Sequence, residues 1–251
     1  MKMRSDILFL LCAIPAILVS LSFHEMAHAY ASYRLGDPTA KRLGRLTLNP
    51  LKHLDPVGTL MLMVSMYSGF GFGWAKPVPI DPTYYKNYKK GTIMVSLAGP
   101  LSNLLLAFAF SFPMVMIAAQ DVQPYSAPSR VLYDSRIVRY LIGAYSMDLS
   151  FRSVVFIICG IFYIINIGLA IFNLIPIPPL DGSKILTGIL PARTYFTIMS
   201  YERYIGLLFL LLMIANPGIL STVTYPLRRA VELLFGLVGS VIVRIVDWTY
   251  T

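Results

Sequence analysis

Charge is scarce in this sequence. Only 13% of its 251 residues are Asp, Glu, Lys or Arg, against the roughly 25% that a soluble globular domain carries. That shortage excludes an ordinary soluble domain, and 57% hydrophobic residues with a mean hydropathy of +0.68 point to a bilayer. Cysteine is rarer still. Cys12 and Cys159 each lie inside an apolar run, which excludes a disulfide framework or a Cys-x-x-Cys metal site and leaves them as packing residues. Acidic residues (12) are outnumbered by basic ones (21), giving a formal net charge of +9. Such an excess could suit nucleic acid, but the basic residues sit in short loops between apolar runs, where membrane orientation explains them better. Repeats, low-complexity tracts and a soluble accessory domain are also missing.

What is present is long hydrophobic runs. Ile7 to Tyr33, Thr92 to Ala119 and Val154 to Leu174 each exceed the roughly 20 residues needed to cross a hydrocarbon core of about 30 Å. The first follows Lys2 and Arg4 in the manner of a signal peptide. It continues past Phe23 into a His-Glu pair with no small-residue cleavage pattern, so it reads as a retained helix. Ile205 to Ile214, closed by Asn216, Pro217 and Gly218, reads as a fourth span. Val231 to Val246, flanked by Arg228, Arg229 and Arg244, reads as a further membrane helix. Val57 to Phe72 is too short and glycine-rich for an ordinary span, and it runs through Gly69, Gly71 and Gly73 to Trp74, Pro77 and Pro79. A re-entrant or interfacial segment leading into a short extended strand fits it. Non-helical backbone at membrane depth has to be covered by protein or water, so this segment should line a cavity. The expected fold is an all-α polytopic membrane protein, a helical bundle with a re-entrant or short β segment around 57–80. It forms a single domain over 1–251, with its core at about 7–190 and additional C-terminal helices at about 203–246.

Lys and Arg counts set the orientation. Residues 34–91 hold nine, the N-terminus two and residues 120–152 four. The positive-inside rule makes 34–91 cytoplasmic. The segment 57–72 must then enter and leave on one side, 120–152 is extracytoplasmic, and the chain returns to the cytoplasmic side at Asn173.

Within the first span stands His24-Glu25-Met26-Ala27-His28. Residues four apart on an α-helix point the same way, so both imidazoles can reach one tetrahedral zinc while Glu25 projects beside them toward a metal-bound water. Zinc lowers the pKa of such a water, and the carboxylate takes its proton as the water attacks a carbonyl. The bland alternatives are solvated polar residues near a helix end, or core histidines satisfied by backbone. Ionisable residues inside a span are costly and functional by default, which favours the metal reading. At about 1.5 Å per residue His24 lies no more than roughly 15 Å below Arg34, in the cytoplasmic half of the bilayer.

A catalytic zinc wants a third protein ligand and an open position. His53 and the acidic residues are the candidates. Asp181 closes the run Asn173-Leu174-Ile175-Pro176-Ile177-Pro178-Pro179-Leu180-Asp181-Gly182, at the end of the third span on the same side as His24. Its prolines break helical bonding and Gly182 permits a tight turn that aims the carboxylate inward. An Asp-Gly surface turn accounts for the same residues. His53, between Lys52 and Asp55, reads as a solvated or Asp-paired loop histidine. Asn103, after Gly99 and Pro100, fits equally an amide that bonds an oxyanion or an extended substrate and one that bonds a neighbouring helix.

Taken together, His24 to His28, Gly99-Pro100-Leu101-Ser102-Asn103 and Asn173 through Gly182 resemble the site-2 protease family of intramembrane zinc metalloproteases, in order and over about residues 15–190. Phe72 to Pro79 and Asn49 to Pro56 are similar to its compact bacterial branch. Larger members place a span before the His-Glu helix and carry a PDZ or CBS domain, features this sequence does not show. The resemblance implies one Zn2+ per chain held by His24, His28 and Asp181, with Glu25 as the base. It also implies Asn103 near the scissile bond and Asn173, Gly73 and Trp74 in supporting or substrate-binding places. The implied activity is an intramembrane endopeptidase, acting in regulated intramembrane proteolysis on transmembrane proteins. Its setting would be a bacterial cell membrane with the active site toward the cytoplasm, without nucleic acid. Two other classes use the same residues. A metal transporter would need polar residues along several spans, which the third and fourth hardly have, and an inactive scaffold would not need the full ligand set.

Overall fold

The computed structural model describes residues 2–67, 74–121, 133–146 and 150–250. Among them the chain is all-α: α1 (Lys2–Arg34), α2 (Thr39–Arg42), α3 (Pro56–Tyr67), α4 (Tyr88–Asp121), α5 (Ser135–Tyr145), α6 (Phe151–Asn173), α7 (Gly182–Ile189), α8 (Ala192–Ser200), α9 (Glu202–Ala215) and α10 (Pro217–Tyr250). Short 3-10 turns cover Pro50–Lys52 and Pro82–Tyr84. Of the expected short strand, the described residues form a single antiparallel bridge between Leu54 and Ala75. Gly69, Gly71 and Gly73 lie outside the described residues, whereas Pro56–Tyr67 before them is helical.

Among the described residues three helices are long and apolar enough to cross a membrane: Leu11–Arg34 within α1, Tyr88–Ala118 within α4, and α6. A fourth is reached if α8 and α9, bent by 62° about Tyr201, count as one. α4 begins four residues before the expected Thr92, because the Asn87 side chain accepts from the Lys90 N–H and caps it. Asn216-Pro217-Gly218 closes α9, as expected, and also opens α10. Asn216 accepts from the Gly218 N–H at 3.2 Å, and Pro217 takes the first helical position, where its missing N–H costs nothing. The apolar stretch from Val231 is thus the second half of a 34-residue helix.

The chain divides into two compact units. One comprises residues 1–17, 103–172 and 209–251. Its centre is α6, whose Phe156, Ile161, Tyr163 and Ile167 are buried. Phe110 stacks on Phe162 with centroids 4.1 Å apart. Asn103 donates to Asn166 at 2.8 Å, both side chains being fully buried. Leu105 turns outward, 71% exposed, as lipid-facing residues do.

The other unit comprises residues 18–102 and 173–208 and carries the candidate site. Here the extended chain from Trp74 to Asp81 is fastened at four points. Lys76 N–H donates to the His53 carbonyl at 2.9 Å. Arg45 Nη2 donates to the carbonyls of Lys76 (2.7 Å) and Pro77 (3.3 Å). Val78 N–H donates to Glu25 at 2.9 Å, and Asp81 N–H to Asp37 at 2.9 Å. Asp37 is fully buried and also accepts from Ser32 Oγ at 2.7 Å and Thr39 N–H at 2.9 Å. Burial opposes its ionisation, yet these bonds outweigh burial and keep its carboxyl below the ordinary range. Much of this backbone, neither helix nor sheet, is thereby bonded, chiefly by side chains.

Candidate metal centre

α1 sets His24 and His28 on one face, one turn apart, with ring centroids 4.6 Å apart and nearly perpendicular. Their Nε2 atoms are 3.1 Å from each other, and each is 3.0 Å from Asp181 Oδ2. All three residues are buried. His28 Nδ1 lies 2.7 Å from the Val95 carbonyl and donates to it, which leaves Nε2 with its lone pair in the neutral ring. The His28 lone pair and the Asp181 carboxylate therefore face each other and the His24 ring across about 3 Å, an arrangement suited to a cation. Ligands about 2.0–2.1 Å from a tetrahedral zinc lie about 3.3 Å apart, within a few tenths of an ångström of these separations. Among the described residues this is the one cluster of three His, Cys, Asp or Glu ligand atoms close enough to hold a metal.

Asp181 stands at the N-cap of α7 but makes no side-chain cap. Its Oδ2 is turned to the imidazoles, and its Oδ1 takes Lys184 Nζ at 3.3 Å. Ser96 Oγ donates to the Asp181 carbonyl and ties the loop to α4. Gly182 is required for closeness rather than for an unusual φ, since a Cβ there would lie 2.4 Å from the Leu174 carbonyl oxygen. Gly99 faces the imidazoles, and a Cβ there would lie 2.4 Å from His28 Nε2 and 2.6 Å from His24 Cε1.

Glu25, half-buried, follows His24 on α1 and accepts the Val78 N–H through Oε2. His53 is neither solvated nor paired with Asp55. It is 2% exposed and its Nε2 donates to the Thr47 carbonyl at 2.8 Å, while Asp55 caps α3 through the Gly58 N–H at 2.7 Å. Asn173 is the last residue of α6, half-buried. Trp74 packs over Gly58, where a Cβ would lie 2.2 Å from the Trp74 carbonyl oxygen. Gly73 lies outside the described residues. Sequence reasoning missed Arg45, Asp37 and Ser96; their polar atoms are buried against chain that is distant in sequence, and nothing local announces that.

Membrane-spanning helices and a His-Glu-x-x-His turn with a distant aspartate brought beside it are what a membrane-embedded zinc metalloprotease requires. Comparison with known proteins agrees: the model of peptidase family M50 matches residues 12–215, and the chain belongs to that family. It is 37% identical over 214 residues to the Bacillus subtilis protein described as "Putative zinc metalloprotease YwhC", covering 85% of this chain and 84% of that one. Two proteins with the same description and the name Rip2 are also similar. One, from Mycolicibacterium smegmatis, is 28% identical over 80% of this chain and 66% of its own. The other, from Mycobacterium tuberculosis strain H37Rv, is 29% identical over 80% and 65%. No solved structure gives a significant match. The chain is thus an integral membrane protein and a zinc metalloprotease.

Proposed function

We propose that the protein is an intramembrane endopeptidase that hydrolyses peptide bonds in or near transmembrane segments of other membrane proteins, with its site toward the cytoplasm. The observation that carries this reading is the convergence of His24 Nε2, His28 Nε2 and Asp181 Oδ2 at 3.0–3.1 Å beside Glu25, on a helix apolar enough to span. These three residues would hold the zinc. When bound, the metal acts as a Lewis acid and brings its water toward a pKa of about 7. Glu25 Oε2 is engaged by the Val78 N–H, so Oε1 is the oxygen that accepts the proton of the attacking water and returns it to the leaving amine. The carbonyl of Val78 and the N–H of Ile80 bond to no other described residue, and an unwound substrate pairs with this edge as an added strand. Arg45, through the Lys76 and Pro77 carbonyls, keeps the edge in place.

The test is Glu25→Gln in purified, zinc-loaded protein with single-span membrane substrates. Glutamine fills the same space, is not a ligand and accepts no proton, so zinc content should hold at one per chain while cleavage is lost. Cleavage at near the unsubstituted rate would refute the mechanism.

A further inference from the structure

A cavity of about 380 Å³ opens beside the metal centre, between the extended segment, the start of α4, α7 and α8. Its walls include the very residues that hold the site together. Val78 binds Glu25, Val95 binds His28, Ser96 binds the Asp181 backbone, and Lys184 binds the Asp181 carboxylate. Whatever occupies the cavity therefore lies one residue's breadth from the proposed base and ligands. The far wall is aromatic and thioether: Tyr195, Phe196 and Met199 of α8, with Tyr88 against Phe196 at 6.3 Å between centroids. The lining holds one cation, Lys184, already engaged by Asp181, and one acid, Glu202. A charged guest would be poorly matched there. An apolar cavity of about 150 Å³ holds a benzene molecule, so this volume admits a large side chain with room for its backbone.

We propose that this cavity is the side-chain subsite of the peptidase, taking one bulky apolar residue of the substrate next to the cleaved bond, and that Met199 and Phe196 set its size. The proposal rests on the endopeptidase reading but is separable from it. An added strand on Val78 to Ile80 projects alternate side chains to one face, and the cavity receives one of them.

Two measurements test it. The first uses purified zinc-loaded protein and a library of labelled twelve-residue apolar peptides in detergent, each position varied among Ala, Leu, Phe and Asp, with products read by mass spectrometry. The unsubstituted protein should prefer Leu or Phe at a single position. Met199→Trp should lower that preference, measured as the ratio of Leu or Phe to Ala peptide cleavage, about tenfold, the worth of a methylene or two in a hydrophobic pocket. Phe196→Ala should shift the preference toward Phe. Cleavage without positional preference, or a preference that neither variant moves, overturns the subsite while leaving the peptidase reading intact. The second uses zinc-loaded Glu25→Gln protein and the same peptides carrying benzoylphenylalanine at each position in turn, and it needs no turnover. Crosslinks to residues 195–199 from one position only are expected. Crosslinks elsewhere from every position, or labelling of 195–199 by a photoreactive phospholipid that the peptides fail to displace, overturn it.

Discussion

Replacing Gly99 by alanine would insert a methyl group where two imidazoles meet. The new Cβ would lie 2.4 Å from His28 Nε2 and 2.6–2.7 Å from His24 Cε1 and Nε2, whereas ordinary contact begins near 3.4 Å. About 1 Å of movement is therefore required. The rings have little freedom to supply it: swinging His28 breaks its 2.7 Å bond to the Val95 carbonyl, and moving His24 draws it away from Asp181. Disturbing the orientation of a metal-bound histidine costs about 10–100-fold in metal affinity, roughly 1.4–2.7 kcal/mol. A displacement of about 1 Å in a catalytic group costs about 100-fold in rate. Chelator competition on purified Gly99→Ala should show the affinity loss, and cleavage by the fraction still loaded should fall about 100-fold. Gly168→Ala is the control, since a Cβ there meets nothing within 4 Å. If Gly99→Ala binds zinc as tightly and cleaves as fast as the unsubstituted protein, the placement of the imidazoles against α4 is refuted.

Asp181→Ala should lose both zinc and proteolysis, whereas His53→Ala should keep its zinc and lose roughly 2–4 kcal/mol of stability, through the Thr47 bond and the cavity left by a buried ring; metal analysis and thermal unfolding of the two variants decide this, and the reverse metal pattern would reassign the site. Arg45→Ala should free the Lys76 and Pro77 carbonyls and raise KM for protein substrates severalfold at unchanged zinc content, and unchanged kinetics would remove the extended edge from the mechanism. In a background lacking Cys12 and Cys159, cysteines at the exposed positions Lys52 and Lys89 should resist an impermeant thiol reagent outside intact cells, while one at the exposed Arg139 should react. Labelling of all three from outside would overturn the cytoplasmic placement of the site.

The parts legible in sequence are those whose physics is local. Spans follow from apolar length, and His24 and His28 from the 3.6-residue period of one helix. Asp181 was narrower: prolines and glycine marked an irregular turn, but its meeting with α1 depends on a contact 153 residues away in sequence. Gly99 enters the sequence reading only as a neighbour of Asn103, because nothing local announces that two imidazole rings close on its backbone. His53 shows the opposite failure. Its charged neighbours in sequence suggest solvent, while the bridge of Leu54 with Ala75 and the Thr47 bond bury it. Asn216-Pro217-Gly218 was read as a stop alone, because a capping residue followed by proline ends one helix and begins the next with the same chemistry.

The separation of Asp181 from the two histidines also bears on how the protein is made. A ribosome adding about 5–20 residues per second needs on the order of 10–30 s to pass from His28 to Asp181. Throughout that interval the first helix has emerged with two imidazoles and a carboxylate but without its third ligand. On the proposed ligand set, nascent chains would carry an incomplete, low-affinity metal site. Zinc acquisition would then be a late event of biogenesis, and a chain truncated before residue 181 would leave unneutralised polar groups in its first span, a mark for membrane quality control.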